Sequence, residues 1–542
     1  MPASLPSCVI HEDEHLLVVN KPAGWNTHAP SSYAGEGIYD WLRHREPRWA
    51  ALAIIQRLDK ETSGVMVFAK TPAANQSLTE QFTNREVRKK YLLLTDCNVA
   101  QDQFTVKSSI ARLGDRYASN PNGEPAETRF RVLERQNGRT LVEAEPLTGR
   151  THQIRVHASE SGFSILGDTL YGGTSATRTC LHSAELAFAH PADHKSVSFT
   201  VPTDFDADAR LLLRAAAIDS EQTDAFRIIH GASDGWPGWY VERLGDFGLS
   251  QSEQLLSDRQ RILLAQLCEM PSPKATHPQG ATPVLRGVYH KTLTRRLLKT
   301  AVSEASPQLL LGESSLERFG IRENGFQFEL SFAEGYSMGL FLDQRDNRRR
   351  FITNHLAAGF PLFPDGIAAK EVLNTFAYTC GFSVCAASAG ARVTSLDLSR
   401  KYLDWGRRNF VLNGLDPSGH DFIYGDVFDW LRRFAKKGRG FDAIALDPPT
   451  FSQSKESGVF RAEKDYGRLV DAALKLLRPS GVLFASTNAA TMRPEDFVGT
   501  VTAAVRTSGR RVLQQHYAPQ PPDFPISREE PAYLKTLWMR VS

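Results

Sequence analysis

Three short strand-like stretches in the C-terminal part of the chain each stop at an aspartate, and that repetition constrains the fold more than any other feature. Residues 393–396 run into Asp397, a second short run ends at Gly425-Asp426, and residues 443–446 run into Asp447. An earlier run, residues 371–375, ends instead in Phe376-Ala377-Tyr378-Thr379-Cys380-Gly381. Short continuous apolar runs separated by helical stretches are how strands covered on both faces read. From residue 334 onward the pattern therefore predicts a doubly wound α/β sheet, Rossmann-like in architecture. In such sheets ligands bind beyond the carboxyl ends of the strands. A turn of small residues there lets a ligand approach the backbone, and an acid such as Asp397 can accept hydrogen bonds from ribose hydroxyls. The absence of a G-x-G-x-x-G stretch disfavours a dinucleotide dehydrogenase.

Before residue 202 the texture differs. Apolar and β-branched runs at residues 16–19, 65–68 and 91–94 alternate with turns, and helical stretches such as residues 73–83 are fewer. The mixture predicts an α+β domain over residues 1–205. Its most distinctive stretch is Gln56-Arg57-Leu58-Asp59-Lys60-Glu61-Thr62-Ser63-Gly64, with apolar runs leading in (52–55) and out (65–68). Asp59 is thus a single carboxylate in a polar turn between two strands, which Thr62, Ser63 and Gly64 can close. An aspartate in a turn ordinarily caps backbone amides, and Asp59 taken alone implies no more than that. Lys21-Pro22-Ala23-Gly24 makes another turn after the first strand. Residues 147–157 enter a helical segment with His152 and Arg155 on adjacent turns, and residues 163–171 read as a loop containing Gly167-Asp168.

Between these regions the sequence changes again. Asp204, Asp206 and Asp208 make an acidic, turn-like opening, and residues 211–217 read as a short linker helix. A strand at residues 226–231, a turn and strand at 234–243, a helix at 258–270 and a Pro/Gly/Ser/Thr-rich loop at 271–283 follow. This predicts a small α+β central domain over residues 206–333, before the α/β domain of residues 334–542. At 542 residues the chain is too long for one core, and three domains fit its length.

Composition removes several classes. Hydrophobic content of 41% and charged content of 23% are those of a soluble globular protein. No apolar run approaches the roughly 20 residues of a membrane helix. Residues 1–8 lack the basic start and apolar core of a signal peptide. The six cysteines form no C-x-x-C pair, which argues against a disulfide framework or a zinc site. A cytoplasmic protein without a metal is expected. The net charge of +3 gives no overall case for a nucleic-acid partner, so that case rests on local clusters. They are Arg85 with Arg88, Lys89 and Lys90; Arg295 with Arg296 and Lys299; Arg345 with Arg348, Arg349 and Arg350; and Arg432 with Arg433, Lys436, Lys437 and Arg439. Each alone reads first as a solvated face; four in one chain favour a polyanionic partner.

The motifs of residues 9–202, taken together, resemble the RluA family of pseudouridine synthases. They are the K-P-A-G turn, R-L-D-x-x-T-S-G around Asp59, Lys90-Tyr91, G-R-T-H-Q-I-R ending at Arg155, and I-L-G-D-x-x-Y-G, in family order. The resemblance implies isomerisation of uridine to pseudouridine with Asp59 as nucleophile, on either the base or the ribose. It implies that Tyr91 stacks on the base and serves as general base, and that Arg155 pairs with Asp59 and keeps it ionised. No metal or organic cofactor is required, and the target uridine must leave its stack. Gln56 stands where the family usually has histidine, so altered packing or RNA contact is expected there. No S4-like RNA-binding domain is expected upstream of these motifs.

The central unit resembles the small RNA-contacting domain of the large-subunit rRNA methyltransferases RlmI and RlmK. Residues 334–542 resemble a class I S-adenosylmethionine-dependent methyltransferase of that kind. The resemblance rests on Gly339-Leu340-Phe341-Leu342-Asp343-Gln344-Arg345, Asn374-Thr375-Phe376-Ala377-Tyr378-Thr379, Tyr402-Leu403-Asp404-Trp405 with Asn413-Gly414-Leu415, and Asp447-Pro448-Pro449-Thr450-Phe451-Ser452. It implies S-adenosyl-L-methionine as cofactor, held by Arg345, Asn374, Phe376, Tyr378, Gly381, Asp397, Asp426 and Asp447. Asp426 would face the adenine. Pro448, Pro449, Phe451 and Asn488 would position the target base. Cys380 departs from the small residues usual at its position and is expected to tune cofactor binding. The implied partner is RNA, specifically large-subunit rRNA.

Methylation of cytosine C5 needs a thiolate nucleophile. In RlmI-like enzymes it lies in the stretch corresponding to residues 482–490, which here has no cysteine, and none follows Cys385. Guanine N7 carries its own lone pair and needs mainly alignment with the methyl group. The expectation is therefore a bifunctional enzyme that makes pseudouridine and methylates a base, N7 of guanine being favoured and an exocyclic amine left open. The alternative is a single activity whose other half is an RNA-binding module.

Overall fold

The computed structural model describes residues 6–269, 285–293, 306–335, 337–454, 456 and 458–542. The expected loop at 271–283 and the basic cluster Arg295, Arg296 and Lys299 lie outside them, as does Met270 at the end of the expected helix. The chain divides into two compact units. One comprises residues 1–29, 36–41 and 51–218; the other comprises 30–35, 42–50 and 219–542. Among the described residues no helix is long and apolar enough to cross a membrane.

The first unit is built on an eleven-stranded mixed sheet. Its central strand Ser63–Ala69 is buried at every position, which is why residues 65–68 read as an unbroken apolar run. The run at 52–55 forms only the two-residue strand Ala53–Ile54, paired to Phe68 and Ala69. Ser63–Ala69 pairs in parallel with Leu181–Ala189, setting Ser63 against His182 and Gly64 against Ser183. Arg88–Thr95 pairs on the far side of Leu181–Ala189, with Ser183 opposite Tyr91. Gly64, Ser183 and Tyr91 therefore lie in one row across three strands. Gly64 has φ +119, and a Cβ there would stand 2.2 Å from the Ser183 carbonyl oxygen, so only glycine permits this close pairing. The helix Pro72–Thr83 starts with proline and is capped by Thr71, whose hydroxyl accepts from the Ala74 amide. The second helix of interest, Gln153–Glu160, begins after His152, which takes a left-handed conformation at φ +56. The helix Ala209–Ala217, expected as a linker, belongs to this first unit.

In the second unit a five-stranded sheet runs in the order Ala225–His230, Trp239–Leu244, Phe247–Ser252, Gly287–Thr292, Gln308–Gly312. Its residues Leu244, Phe247, Leu249 and Tyr289 share one apolar core with Phe332, Phe351, Val372, Phe382 and Phe484. The C-terminal sheet has seven strands. Their order is Asp421–Tyr424, Arg392–Asp397, Glu371–Thr375, Phe441–Leu446, Leu477–Thr487, Lys535–Val541, Val512–Ala518. The first five are parallel and Lys535–Val541 runs against them. Register places Thr375 opposite both Leu396 and Leu446, and Asp397 opposite Tyr424. The carboxyl ends are thus level, and the loops that follow them open on one edge, flanking the point where strand order reverses.

One expectation about charge fails here. Arg345, Arg348 and Arg350, read as part of a solvated or RNA-binding cluster, are almost fully buried on the helix Arg345–Thr353. Arg345 Nη2 and Nη1 stand 2.5 and 3.0 Å from the two oxygens of Asp523. Arg348 makes a two-pronged pair with Glu323 at 2.6 and 2.8 Å. A run of basic residues in sequence does not reveal carboxylates that come from distant strands and loops. The cluster on the helix Val427–Lys436 does face solvent: Arg432 and Arg433 are exposed, and both pair with Asp429.

Candidate active sites

In the first unit Asp59 sits in the turn that precedes Ser63–Ala69, with its side chain about one-quarter exposed (26%). The turn is held from below. The Lys21 ammonium, fully buried, donates to the carbonyls of Pro22 (3.0 Å), Trp25 (2.6 Å) and Lys60 (3.2 Å). Burial pulls its pKa down to about 7, against the pull of Glu61 and Asp59. Thr27 Oγ1 donates to the Leu58 carbonyl and accepts from the Leu58 amide. Ser63 is tied to the buried Arg178 (2.5 Å) and His182 (2.8 Å).

Across the turn stands the helix Gln153–Glu160. Arg155 Nη1 lies 3.3 Å from Asp59 Oδ2, while its Nε and Nη2 pair with the buried Asp168 at 2.7 and 2.8 Å. Burial alone would lower the Arg155 pKa, but Asp168 and then Asp59 raise it, so the guanidinium is a fixed charge. Its carbon stands 5.0 Å from the Tyr171 ring centre. The structure thus brings Asp59 and Arg155 together, with Asp168 as the main anchor of the arginine. Tyr91 is two strands away from the turn in the row already described. Burial pushes its phenol up to about 12, opposed by the Ser183 hydroxyl and reinforced by the Asp59 charge. Gln56 points its amide at the Val65 carbonyl, 3.5 Å away.

In the second unit a cavity of about 380 Å³ opens at the level carboxyl ends. Phe376, Tyr378, Asp397, Asp426, Asp447, Pro448, Pro449 and Asn488 all line it. Phe376 and Tyr378 have φ of +54 and +49, non-glycine residues held in a left-handed turn. Asp397 helps fix that turn: its Oδ2 accepts from the Tyr378 amide at 2.8 Å and its Oδ1 from the Ser399 amide at 2.8 Å. Burial raises the Asp397 pKa against those two bonds. Asp426 caps the helix Val427–Lys436, accepting from the Asp429 amide at 3.0 Å. Asp447 accepts from the Gln344 amide at 3.1 Å, and Gln344 also donates to Ser486 at 2.8 Å. Burial pushes Asp447 up to about 6, with the nearby Asp343 charge adding to it.

Four expected residues do not line the cavity. Arg345 is committed to Asp523. Asn374 is buried and donates to Ser383 Oγ at 2.9 Å. Gly381 opens the helix Gly381–Ser388 and meets Leu340 and Arg348; a Cβ there would stand 2.9 Å from the Leu340 side chain. Phe451 is 46% exposed at the start of the hairpin Phe451–Ser454 and Gly458–Arg461. Cys380 also turns away: it is fully buried, and a Cβ on Gly406 would come within 2.3 Å of its sulfur. The missing side chain of Gly406 is what accommodates the larger residue at 380. Walls to which sequence reasoning gave no role include Phe341, Asp343, Tyr402, Phe428 and Phe460. Phe341, Tyr378 and Tyr402 form an aromatic row with ring centres 5.3 and 4.7 Å apart.

Comparison with known proteins matches both units. The RNA pseudouridylate synthase family matches residues 15–160, and the S-adenosylmethionine-dependent methyltransferase family matches residues 251–540. A ribosomal RNA large subunit methyltransferase of Deinococcus radiodurans is 33% identical over 341 residues, 62% of this chain and 78% of that protein. Ribosomal RNA large subunit methyltransferase I of Aeromonas salmonicida is 33% identical over 332 residues, 60% and 77% of the two chains. Ribosomal large subunit pseudouridine synthase C of Vibrio cholerae is 37% identical over 217 residues, 37% of this chain and 67% of that protein. The chain belongs to the RNA pseudouridylate synthase family through its first part and to the S-adenosylmethionine-dependent methyltransferase family through its second.

Proposed function

We propose that this enzyme modifies large-subunit ribosomal RNA twice, converting a uridine to pseudouridine and methylating N7 of a guanine. For the first reaction, the observation that carries the reading is Asp59 Oδ2 at 3.3 Å from an arginine whose other edge is locked to Asp168. A carboxylate meant to attack must stay ionised and oriented while a flipped base covers it, and a fixed guanidinium does both. Tyr91, with its phenol protonated at neutral pH, would stack on that base. On this reading Asp59, Tyr91 and Arg155 form the reaction centre, and residues 206–333 contribute RNA contacts.

For the second reaction, the cavity suits the cofactor of the family. S-adenosylmethionine carries a sulfonium and an ammonium, and Asp343, Asp397, Asp426 and Asp447 present four carboxyl groups to it. When bound, it supplies an electrophilic methyl group. The aromatic row of Phe341, Tyr378 and Tyr402 can pack an adenine, and Asp397 can take ribose hydroxyls. Pro448, Pro449 and Asn488 would hold the target base at the far side. None of the six cysteines lines the cavity. Burial pushes the Cys380 thiol up to about 12 and raises that of Cys385 further, so neither offers a thiolate. That supports N7 of guanine over C5 of cytosine. The raised pKa of Asp447 favours one second reading, in which it takes a proton from an exocyclic amine.

Mass mapping of ribosomal RNA nucleosides from cells with and without the gene tests this. Loss of one pseudouridine and one 7-methylguanosine is expected. Loss of an N-methylated exocyclic amine would select the second reading, and loss of a 5-methylcytidine would overturn both.

A further inference from the structure

His152 is absorbed by neither the turn nor the arginine pair, yet it faces Asp59. Its Nε2 stands 3.7 Å from Asp59 Oδ2, and its Nδ1 is hydrogen-bonded to the Tyr171 hydroxyl at 2.8 Å. The hydroxyl in turn accepts from the Tyr117 amide at 2.9 Å. A backbone amide can only donate, which leaves the Tyr171 proton available to His152, with Nδ1 as its acceptor in the arrangement that uses that proton. In the neutral ring the remaining proton is then on Nε2, aimed at Asp59. Burial lowers the His152 pKa, and Arg155 adds to that, while Asp59 and Asp168 oppose it, so the neutral form is the resting one. Tyr171 is itself fixed: Ser159 and Ser164 donate to its carbonyl at 2.7 and 2.8 Å. Arg155 Nη1 and His152 Nε2 both contact Oδ2 of Asp59, and among the described residues neither contact falls on Oδ1.

We infer that His152, with its tautomer set by Tyr171, is a positioning residue that shares Oδ2 of Asp59 with Arg155 and leaves Oδ1 as the attacking oxygen. The inference rests on the proposed role of Asp59. The charged and titratable groups facing His152 are Asp59, Arg155, Asp168, Tyr171 and Tyr117, and they define its pH behaviour. The Tyr171 O–H bond stabilises the neutral ring, so removing it raises the His152 pKa. A protonated His152 would bind Asp59 as an ion pair and blunt its nucleophilicity.

The test is single-turnover tritium release from 5-tritiated-uridine ribosomal RNA by the full chain, as a function of pH and RNA concentration. Tyr171→Phe is expected to lower the maximal rate about tenfold, with half-saturation within about twofold, and to move the acid limb to higher pH. His152→Ala is expected to lose about 100-fold, and His152→Gln, which keeps an N–H near the Nε2 position, to recover most of that. Melting midpoints, read on each variant, are expected to stay near that of the wild type. If Asp59→Asn still releases tritium, the reading of Asp59 itself fails. If Asp59→Asn is silent while Tyr171→Phe and His152→Ala match the wild type in rate and pH profile, the positioning role alone is overturned. It is equally overturned if His152→Gln is as impaired as His152→Ala.

Discussion

The two sites put carboxylates to opposite electrostatic use. In the first unit one aspartate is surrounded by cationic and polar donors: Asp59 has Arg155 at 3.3 Å and His152 at 3.7 Å, with buried Lys21 bracing the turn. In the second, Asp343, Asp397, Asp426 and Asp447 share one cavity, and no lysine or arginine is among the described residues lining it. Burial accordingly raises Asp343, Asp397 and Asp447, the last to about 6. On the proposed reading the difference follows from what each site must do. A nucleophile has to remain charged as a neutral base covers it, so the protein supplies the counter-charge. In the cavity burial is the first cause of the raised carboxyl groups, and Arg227 and Arg348 offset it only in part, so a cationic cofactor would add charge of the opposite sign. Carboxyl groups raised by burial around a cavity are candidates for a ligand site, and on the proposed reading the arginine-paired Asp59 is the reacting group.

Substitutions can break that contrast one side at a time. Asp59→Asn removes the proposed nucleophile and is expected to cut pseudouridine formation by on the order of 10⁴-fold or more, with methyl transfer unchanged, as read by nucleoside analysis. Arg345→Ala is expected to act on stability instead of cofactor affinity. It strands the fully buried Asp523 and should cost about 3–5 kcal/mol in the unfolding of the second unit. A change confined to cofactor affinity, with the denaturation midpoint unmoved, would restore Arg345 to the cofactor site.

Asp447→Asn is expected to slow methyl transfer by about 100-fold, through loss of cofactor alignment. Its effect on stability should have the opposite sign. With the folded carboxyl at about 6 against an ordinary 3.8, the native state binds more protons across that window, so wild-type stability falls as pH rises through it. The asparagine variant lacks this fall and should be the more stable protein above pH 6, by about 1–2 kcal/mol after allowance for partial solvent screening. Melting curves at pH 5 and pH 8 separate the two cases. Gly406→Ala is expected to cost the least, about 1–3 kcal/mol, because its Cβ would press on the Cys380 sulfur. Adding Cys380→Gly should return most of that loss, since the two positions share one space.

How far the sequence anticipates these sites depends on the distance each partnership spans along the chain. The Asp59 turn is legible because its flanking apolar runs are local, and so are Asp397 and Asp447, which end largely buried strands, whereas Asp426 follows the edge strand Asp421–Tyr424, none of whose residues is buried. The anchor Asp168 was visible within a motif, but its bond to Arg155 was not. The pairs Arg345–Asp523 and Arg348–Glu323 join residues far apart in sequence, and a run of arginines alone points to solvent. The aromatic row of Phe341, Tyr378 and Tyr402 was equally hidden, because three separate segments meet only when the sheet closes. Cys380 read as a change to the cofactor site until Gly406 showed where its side chain goes.

On the proposed reading one chain carries two independent chemistries on the same class of RNA. Purified wild type, Asp59→Asn and Asp447→Asn, each incubated with unmodified large-subunit ribosomal RNA and S-adenosylmethionine, test it by quantifying pseudouridine and 7-methylguanosine from the same digest. Both products are expected from the wild type, only 7-methylguanosine from Asp59→Asn, and pseudouridine with 7-methylguanosine sharply reduced from Asp447→Asn. A wild type that forms only one of the two, or a methylated cytosine in place of the guanine, would contradict it.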